Sequence, residues 1–157
     1  MSAHAAPSGP VFTPERLAQL EEMAKRYPDR QALLLPALWI AQRAQGWVSP
    51  EAITEVAAVL GVSPAHVRGV VTFYTMYHTH PVGRHFSLMC GSGEVVAALL
   101  EQTGCGELGA TSPDGRFTVI ETECLGACGF VTPMLIDDDF IESVTVESVP
   151  ELLARYP

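Results

Sequence analysis

At 157 residues the chain has room for one ordinary domain or two small ones. Nine Lys and Arg against eighteen Asp and Glu leave a formal net charge of −9, a balance that argues against a nucleic-acid partner. A hydrophobic content of 48% supplies a core, with an excess that suggests an apolar surface covered by a partner protein. The opening MSAHAAPSGP has neither a basic n-region nor an apolar h-region, so a cytoplasmic chain without direct membrane insertion is expected. All four cysteines, Cys90, Cys105, Cys124 and Cys128, fall in the C-terminal half. In a reducing compartment, cysteines point to metal binding, catalysis or burial before disulfides.

Residues 1–12 are small and rich in Pro and Gly and read as a disordered lead-in. Thr13-Pro14, Ser49-Pro50 and Ser63-Pro64 each put a hydroxyl at an N-cap and a proline at the first helical position. With Asp29 as a further cap, helices are expected over roughly 14–26, 30–45, 50–60 and 64–76. Gly46 and Gly61 end the second and third, and Pro36 is expected to kink the second. These pieces make a helical bundle over 13–80.

At Pro81-Val82-Gly83 the pattern changes. His85 to Cys90 reads as a strand, Glu94 to Gln102 as an amphipathic helix, and Arg116 to Glu121 as a second strand. Met134 to Ile136 and Phe140 to Val146 follow as strands, with a closing helix from Pro150 to Tyr156 capped near Ser148. The fold class is therefore α+β, a helical bundle followed over 84–157 by a domain whose β-α-β-β-β-α order matches a reduced thioredoxin-like fold.

The strongest chemical signal is Cys124-Leu125-Gly126-Ala127-Cys128-Gly129, placed between two strands. A [2Fe–2S] cluster is held by four thiolates, and two cysteines three residues apart in a tight loop can reach one iron. Gly126 and Gly129 let backbone N–H groups approach the sulfurs. Taken alone, this spacing also suits a zinc half-site or buried free thiols. Cys90, at the end of the first strand, brings a third thiol to the same region.

The motifs QGWVSPE (45–51), VVTFYTMY (70–77) and ECLGACG (123–129), with the closing VPELLARYP, resemble the small thioredoxin-like [2Fe–2S] subunit of NADH–quinone oxidoreductase, respiratory complex I. The resemblance covers about 13–157, and related subunits occur in NAD-linked formate dehydrogenases and bidirectional hydrogenases. It implies a thioredoxin-like [2Fe–2S] ferredoxin domain and an electron-transfer role in a respiratory NADH dehydrogenase. It also implies docking on a flavoprotein subunit that carries FMN and NADH, at the cytoplasmic face of the inner membrane. Cys90, Cys124 and Cys128 match the first, third and fourth cluster ligands. The second has no match, because Gly91-Ser92-Gly93-Glu94 runs straight from Cys90 into the helix and position 95 is Val95. Cys105 is not expected to substitute, since the helix before it rises 1.5 Å per residue and places its end roughly 14 Å from its start. A cluster-free structural subunit of the same kind of complex is the alternative reading.

Other features take simpler readings. LGVSPAHV resembles the turn of a helix-turn-helix, yet the following helix offers only His66 and Arg68 to DNA. Phe73, Tyr74, Met76 and Tyr77 read as core, and His78 and His80 as exposed loop residues. No Gly-rich nucleotide loop is present, which assigns NADH and flavin to a partner chain.

Overall fold

The computed structural model describes residues 9–90, 93–130 and 132–157, so most of the expected lead-in lies outside the described residues. The chain divides into two compact units, one ending at Pro81 and the other beginning at Val82.

The first unit holds α1 (Pro14–Ala24), a 3-10 turn (Gln31–Leu33), α2 (Leu34–Gln45), α3 (Pro50–Leu60) and α4 (Pro64–Phe73). Each hydroxyl–proline start acts as the sequence implies. The side chains of Thr13, Ser49 and Ser63 accept the N–H groups of Arg16, Ala52 and His66. Each satisfies one backbone donor left over at a helix start. Gly46 and Gly61 close α2 and α3 in the left-handed region, at φ 80° and 70°. α3 and α4 meet at 120°, and no single helix among the described residues is long and apolar enough to cross a membrane.

Leu20, Leu33, Leu38, Val56 and Val67 are fully buried and centre the core of this unit. The core begins before position 13, which corrects the lead-in boundary. Val11 and Phe12 are buried, and their N–H groups donate to Glu55 Oε2 and Oε1 at 2.8 and 2.7 Å. Hydrogen bonds to a charged acceptor contribute about 1.5–3 kcal/mol each, enough to fix a segment that local pattern leaves loose. Pro36 produces no kink, a second correction. α2 starts at Leu34, so Pro36 sits in its first turn, where no intrahelical donor is needed.

The segment after α4 is only partly core. Tyr77 is buried, its hydroxyl donates to Leu35 O at 2.9 Å, and burial pushes its phenol up to about 12. Phe73, by contrast, is 76% exposed, and Tyr74 and Met76 are exposed with it, because α4 ends at Phe73 and the chain turns away. Gln42 fastens this segment to α2, donating to Met76 O at 2.9 Å and accepting the His78 N–H at 2.7 Å. His78 is therefore half-buried, not an exposed loop residue.

The second unit holds β1 (His85–Met89), α5 (Gly93–Thr103), β2 (Phe117–Glu121), β3 (Met134–Ile136), β4 (Asp139–Ile141), a 3-10 turn (Val146–Ser148) and α6 (Val149–Ala154). Its sheet has the order β2-β1-β3-β4. β1 and β2 are parallel, with His85 opposite Phe117 and Met89 opposite Glu121, while β3 and β4 are antiparallel to their neighbours. A parallel pair needs a long crossover, supplied here by α5 and the loop after it. Val95 and Leu99 of α5 and Leu152 of α6 pack with Phe117, Val119 and Ile136 of the sheet. Ser148 stands at the N-cap of α6, as expected, but its side chain serves the preceding 3-10 turn, in a reciprocal pair with Thr145.

Gly83 approaches β2 closely. Its N–H donates to Thr118 Oγ1 at 2.7 Å, and a Cβ there would lie 2.4 Å from the Phe117 carbonyl carbon. Gly83→Ala should therefore destabilise the protein by about 1–3 kcal/mol in urea unfolding. Gly69→Ala, inside α4 with open space around its Cβ, should stabilise it by about 0.5–1 kcal/mol.

Burial, with the nearby His80 charge, lowers the His78 pKa below the ordinary histidine range. The folded state thus resists a proton that the unfolded chain accepts. Thermal stability should fall as pH drops below about 6.5, and His78→Gln should flatten that dependence in unfolding curves taken between about pH 7 and pH 5.

Candidate functional site

The parallel pairing of β1 and β2 carries both strands' C-terminal ends to one edge of the second unit. Cys90 follows β1 directly, and Cys124 follows β2 after a short connection. The join is tight: the Thr122 N–H donates to Met89 O at 2.8 Å, and the Cys90 N–H donates to Pro133 O at 3.4 Å. The Cys90 thiol is half-buried, with Sγ 3.5 Å from Glu123 O.

Past that contact the chain turns through Gly126 at φ 73°, in the left-handed region that favours glycine. The turn aims the Gly126 N–H at Cys124 Sγ, 3.2 Å away. Cys128 follows in the same loop, where the Phe130 N–H donates to Ala127 O at 2.9 Å. Cys124 and Cys128 are both exposed. The structure thus brings Cys90 against the Glu123 carbonyl beside Cys124 and keeps Cys128 in the loop that Cys124 opens.

Cys105 lies elsewhere. It is 5% exposed, its Sγ is 3.5 Å from Phe117 O, and the Thr103 hydroxyl lies 3.1 Å from it. Phe117 opens the five-residue β2, whereas the Cys124 loop leaves its other end. Four strand steps of about 3.3 Å separate the two ends by roughly 13 Å. Cys105 is a small apolar group of the core packed below α5.

A [2Fe–2S] cluster held by cysteine takes four thiolates. The chain has four cysteines, and one is buried at the opposite end of β2. No group of three or more His, Cys, Asp or Glu side chains among the described residues is placed to hold a metal ion. The residues present therefore do not fit a four-cysteine cluster, and no redox step through one follows from them. His80 is exposed, and half-buried His78 is engaged by Gln42 through its backbone.

This cysteine-bearing unit and the helical unit before it both have counterparts among known proteins. The family described as thioredoxin-like [2Fe-2S] ferredoxin matches residues 20–157. The chain is 39% identical over 153 residues to NADH dehydrogenase [ubiquinone] flavoprotein 2, mitochondrial, of Dictyostelium discoideum, and covers 62% of that relative's length. It is 39% identical over 146 residues to an NADH-quinone oxidoreductase subunit of Rhizobium meliloti (strain 1021), covering 88% of this chain and 86% of the relative. An NADH-quinone oxidoreductase subunit of Escherichia coli (strain K12) is 40% identical over 144 residues, with 87% of each chain covered. In fold, the chain resembles an NAD+-reducing [NiFe]-hydrogenase structure in the H2-reduced state, with TM-score 0.67 and 19% identity. That match covers 79% of this chain but 22% of the hydrogenase chain.

Thiol labelling of the native chain should modify Cys124 and Cys128 fast and Cys90 more slowly. Cys105 should react only after unfolding, as peptide mapping with a thiol reagent would show.

Proposed function

Because the chain belongs to the thioredoxin-like [2Fe–2S] ferredoxin family, in its branch of small complex I subunits, we propose that it serves as a small subunit of an NADH:quinone oxidoreductase module. In that role it docks on the flavoprotein subunit that carries FMN and NADH, and the enzymatic activity belongs to the assembly. The observation that carries this reading is identity near 40% across 86% and 87% of the length of two bacterial NADH-quinone oxidoreductase subunits. It spans both units in one order, not the cysteine loop alone. The lack of any Gly-rich nucleotide motif in the sequence agrees with a partner that supplies NADH and flavin. Attachment through such an assembly would hold the chain at the cytoplasmic face of the inner membrane.

The cysteine end adds a restriction. Cys90, Cys124 and Cys128 are the proposed iron ligands, and Cys105 is not among them. Three thiolates leave one coordination position for water, a weaker side chain or a residue of the partner. The chain by itself is then a docking subunit with an incomplete cluster site. A second reading, an electron-transfer subunit whose fourth ligand comes from outside the chain, is favoured by the Gly126 N–H on Cys124 Sγ. Such a bond suits a ligating thiolate.

Co-expression with its flavoprotein partner tests the docking, which should yield a complex that co-elutes in size-exclusion chromatography. Iron and acid-labile sulfide analysis tests the site. The isolated chain, reconstituted without oxygen, should retain fewer than the two irons of a full cluster. Cys124→Ser should lower retention further and Cys105→Ser should leave it unchanged. Full iron occupancy that is lost on Cys105→Ser would overturn the ligand assignment.

A further inference from the structure

One face of α4 serves its own unit and the other is open. Val67 and Val71 are buried in the core, while Ala65, His66, Arg68, Gly69 and Phe73 are exposed. On the open side a groove of about 390 Å³ is lined by Ala65, His66, Gly69, Val70, Phe73 and Tyr74.

The spacing of this lining says what shape fits it. His66, Gly69, Val70 and Phe73 stand at i, i+3, i+4 and i+7, the four positions that form the hole for one side chain of a facing helix. Gly69 deepens the hole because it adds no side chain. Nothing within the chain requires glycine there, since a Cβ would meet no atom within 4 Å. A glycine inside a helix weakens it, and close approach by another backbone is one use that calls for it. The walls are set in advance. His66 Nε2 lies 3.2 Å from Gln31 Nε2, and the exposed Phe73 ring packs edge-on against Tyr74 with centroids 5.0 Å apart. Aromatic anchors of this kind carry much of the binding energy at the centre of protein interfaces.

Charge narrows the partner. The chain carries −9 overall, yet no Asp or Glu occurs between Glu55 and Glu94. Lys25, Arg30 and Arg116 pair with Glu22, Glu21 and Asp114. Arg68, one position before Gly69 on the flank of the groove, forms no ion pair among the described residues. A second copy packed symmetrically on this face would bring Arg68 toward Arg68, which like charge opposes. A helix with carboxylates beside its apolar stripe meets the opposite sign.

We propose that this groove docks an acidic amphipathic helix of a partner subunit. One leucine-sized side chain of that helix sits over Gly69 between His66 and Phe73, and flanking carboxylates turn toward Arg68. Shape at the hole selects a helix, and charge at its flank selects an acidic one. A protein occupant rests on the subunit reading above, which supplies a partner chain.

The test uses the full chain and a fluorescein-labelled peptide, Glu-Ala-Ala-Leu-Glu-Ala-Glu-Leu-Ala-Ala-Leu-Glu-Ala-Glu-Ala, stapled into a helix on the face opposite its leucines. Binding is followed by fluorescence anisotropy. The peptide should bind, and Gly69→Leu, which fills the hole, should weaken it at least about tenfold. Phe73→Ala, which removes one wall and leaves Gly69 open, should weaken it about tenfold as well. Arg68→Gln should weaken it about two- to fivefold, the range of a partly exposed ion pair. An analogue with Gln at every Glu should lose at least as much, and Arg155→Gln, in the other unit, should change nothing. Thermal unfolding of Gly69→Leu should match or exceed that of the wild type, because leucine is the better helix former. Should that variant fold poorly, Phe73→Ala is judged on its own. No binding at millimolar peptide overturns the proposal, as does wild-type affinity in folded Gly69→Leu or equal binding of the Gln analogue. A wild-type dimer in sedimentation that Gly69→Leu abolishes would give the face to a second copy and likewise overturn it. Co-elution with the flavoprotein is read separately, so failure of the groove and failure of the subunit reading are distinguishable.

Discussion

The parallel pairing of β1 with β2 is the constraint on which the cysteine chemistry depends. Antiparallel neighbours would send Cys90 and the Cys124 loop to opposite ends of the sheet. Parallel ones, in the register His85 to Phe117 and Met89 to Glu121, deliver both to one end. The same register sends Cys105, beside Phe117, to the other end. The crossover through α5 and the close approach of Gly83 to the Phe117 carbonyl accompany this pairing.

That constraint sets what the chain can offer a cluster. In a family described as thioredoxin-like [2Fe-2S] ferredoxin, this chain has Cys90 and the loop of Cys124 and Cys128 after the C-terminal ends of β1 and β2, and its fourth cysteine in the core. Burial of Cys105 removes apolar surface from water and places the thiol against Phe117 O. The helical unit rests on separate supports: hydroxyl caps at three helix starts, and the Glu55 carboxylate gathering the chain ahead of α1.

Much of this was legible in the sequence where the determining contacts are local. A hydroxyl before a proline caps a helix through a donor three residues away, so Thr13, Ser49 and Ser63 declared their helices. QGWVSPE, VVTFYTMY and ECLGACG named the family to which the chain belongs. Contacts between distant residues were not legible. Val11 and Phe12 join the core through Glu55, more than forty positions away, and nothing in MSAHAAPSGP signals it. Pro36 reads as a kink only while the helix is thought to begin at 30; a start at Leu34 makes the same proline harmless. Phe73 reads as core by helical spacing, but α4 ends on it and leaves the ring exposed.

Bridging with dibromobimane, which fluoresces only when two nearby thiols are both alkylated, tests most directly which cysteines share one end of the sheet. Two variants are compared, one keeping Cys90 and Cys124 and the other keeping Cys105 and Cys124, with Ser at the remaining cysteines. Fluorescence should develop in the folded Cys90/Cys124 protein and be absent from the Cys105/Cys124 protein. Bridging of Cys105 to Cys124 in the folded chain would contradict the strand register and the placement of the site built on it.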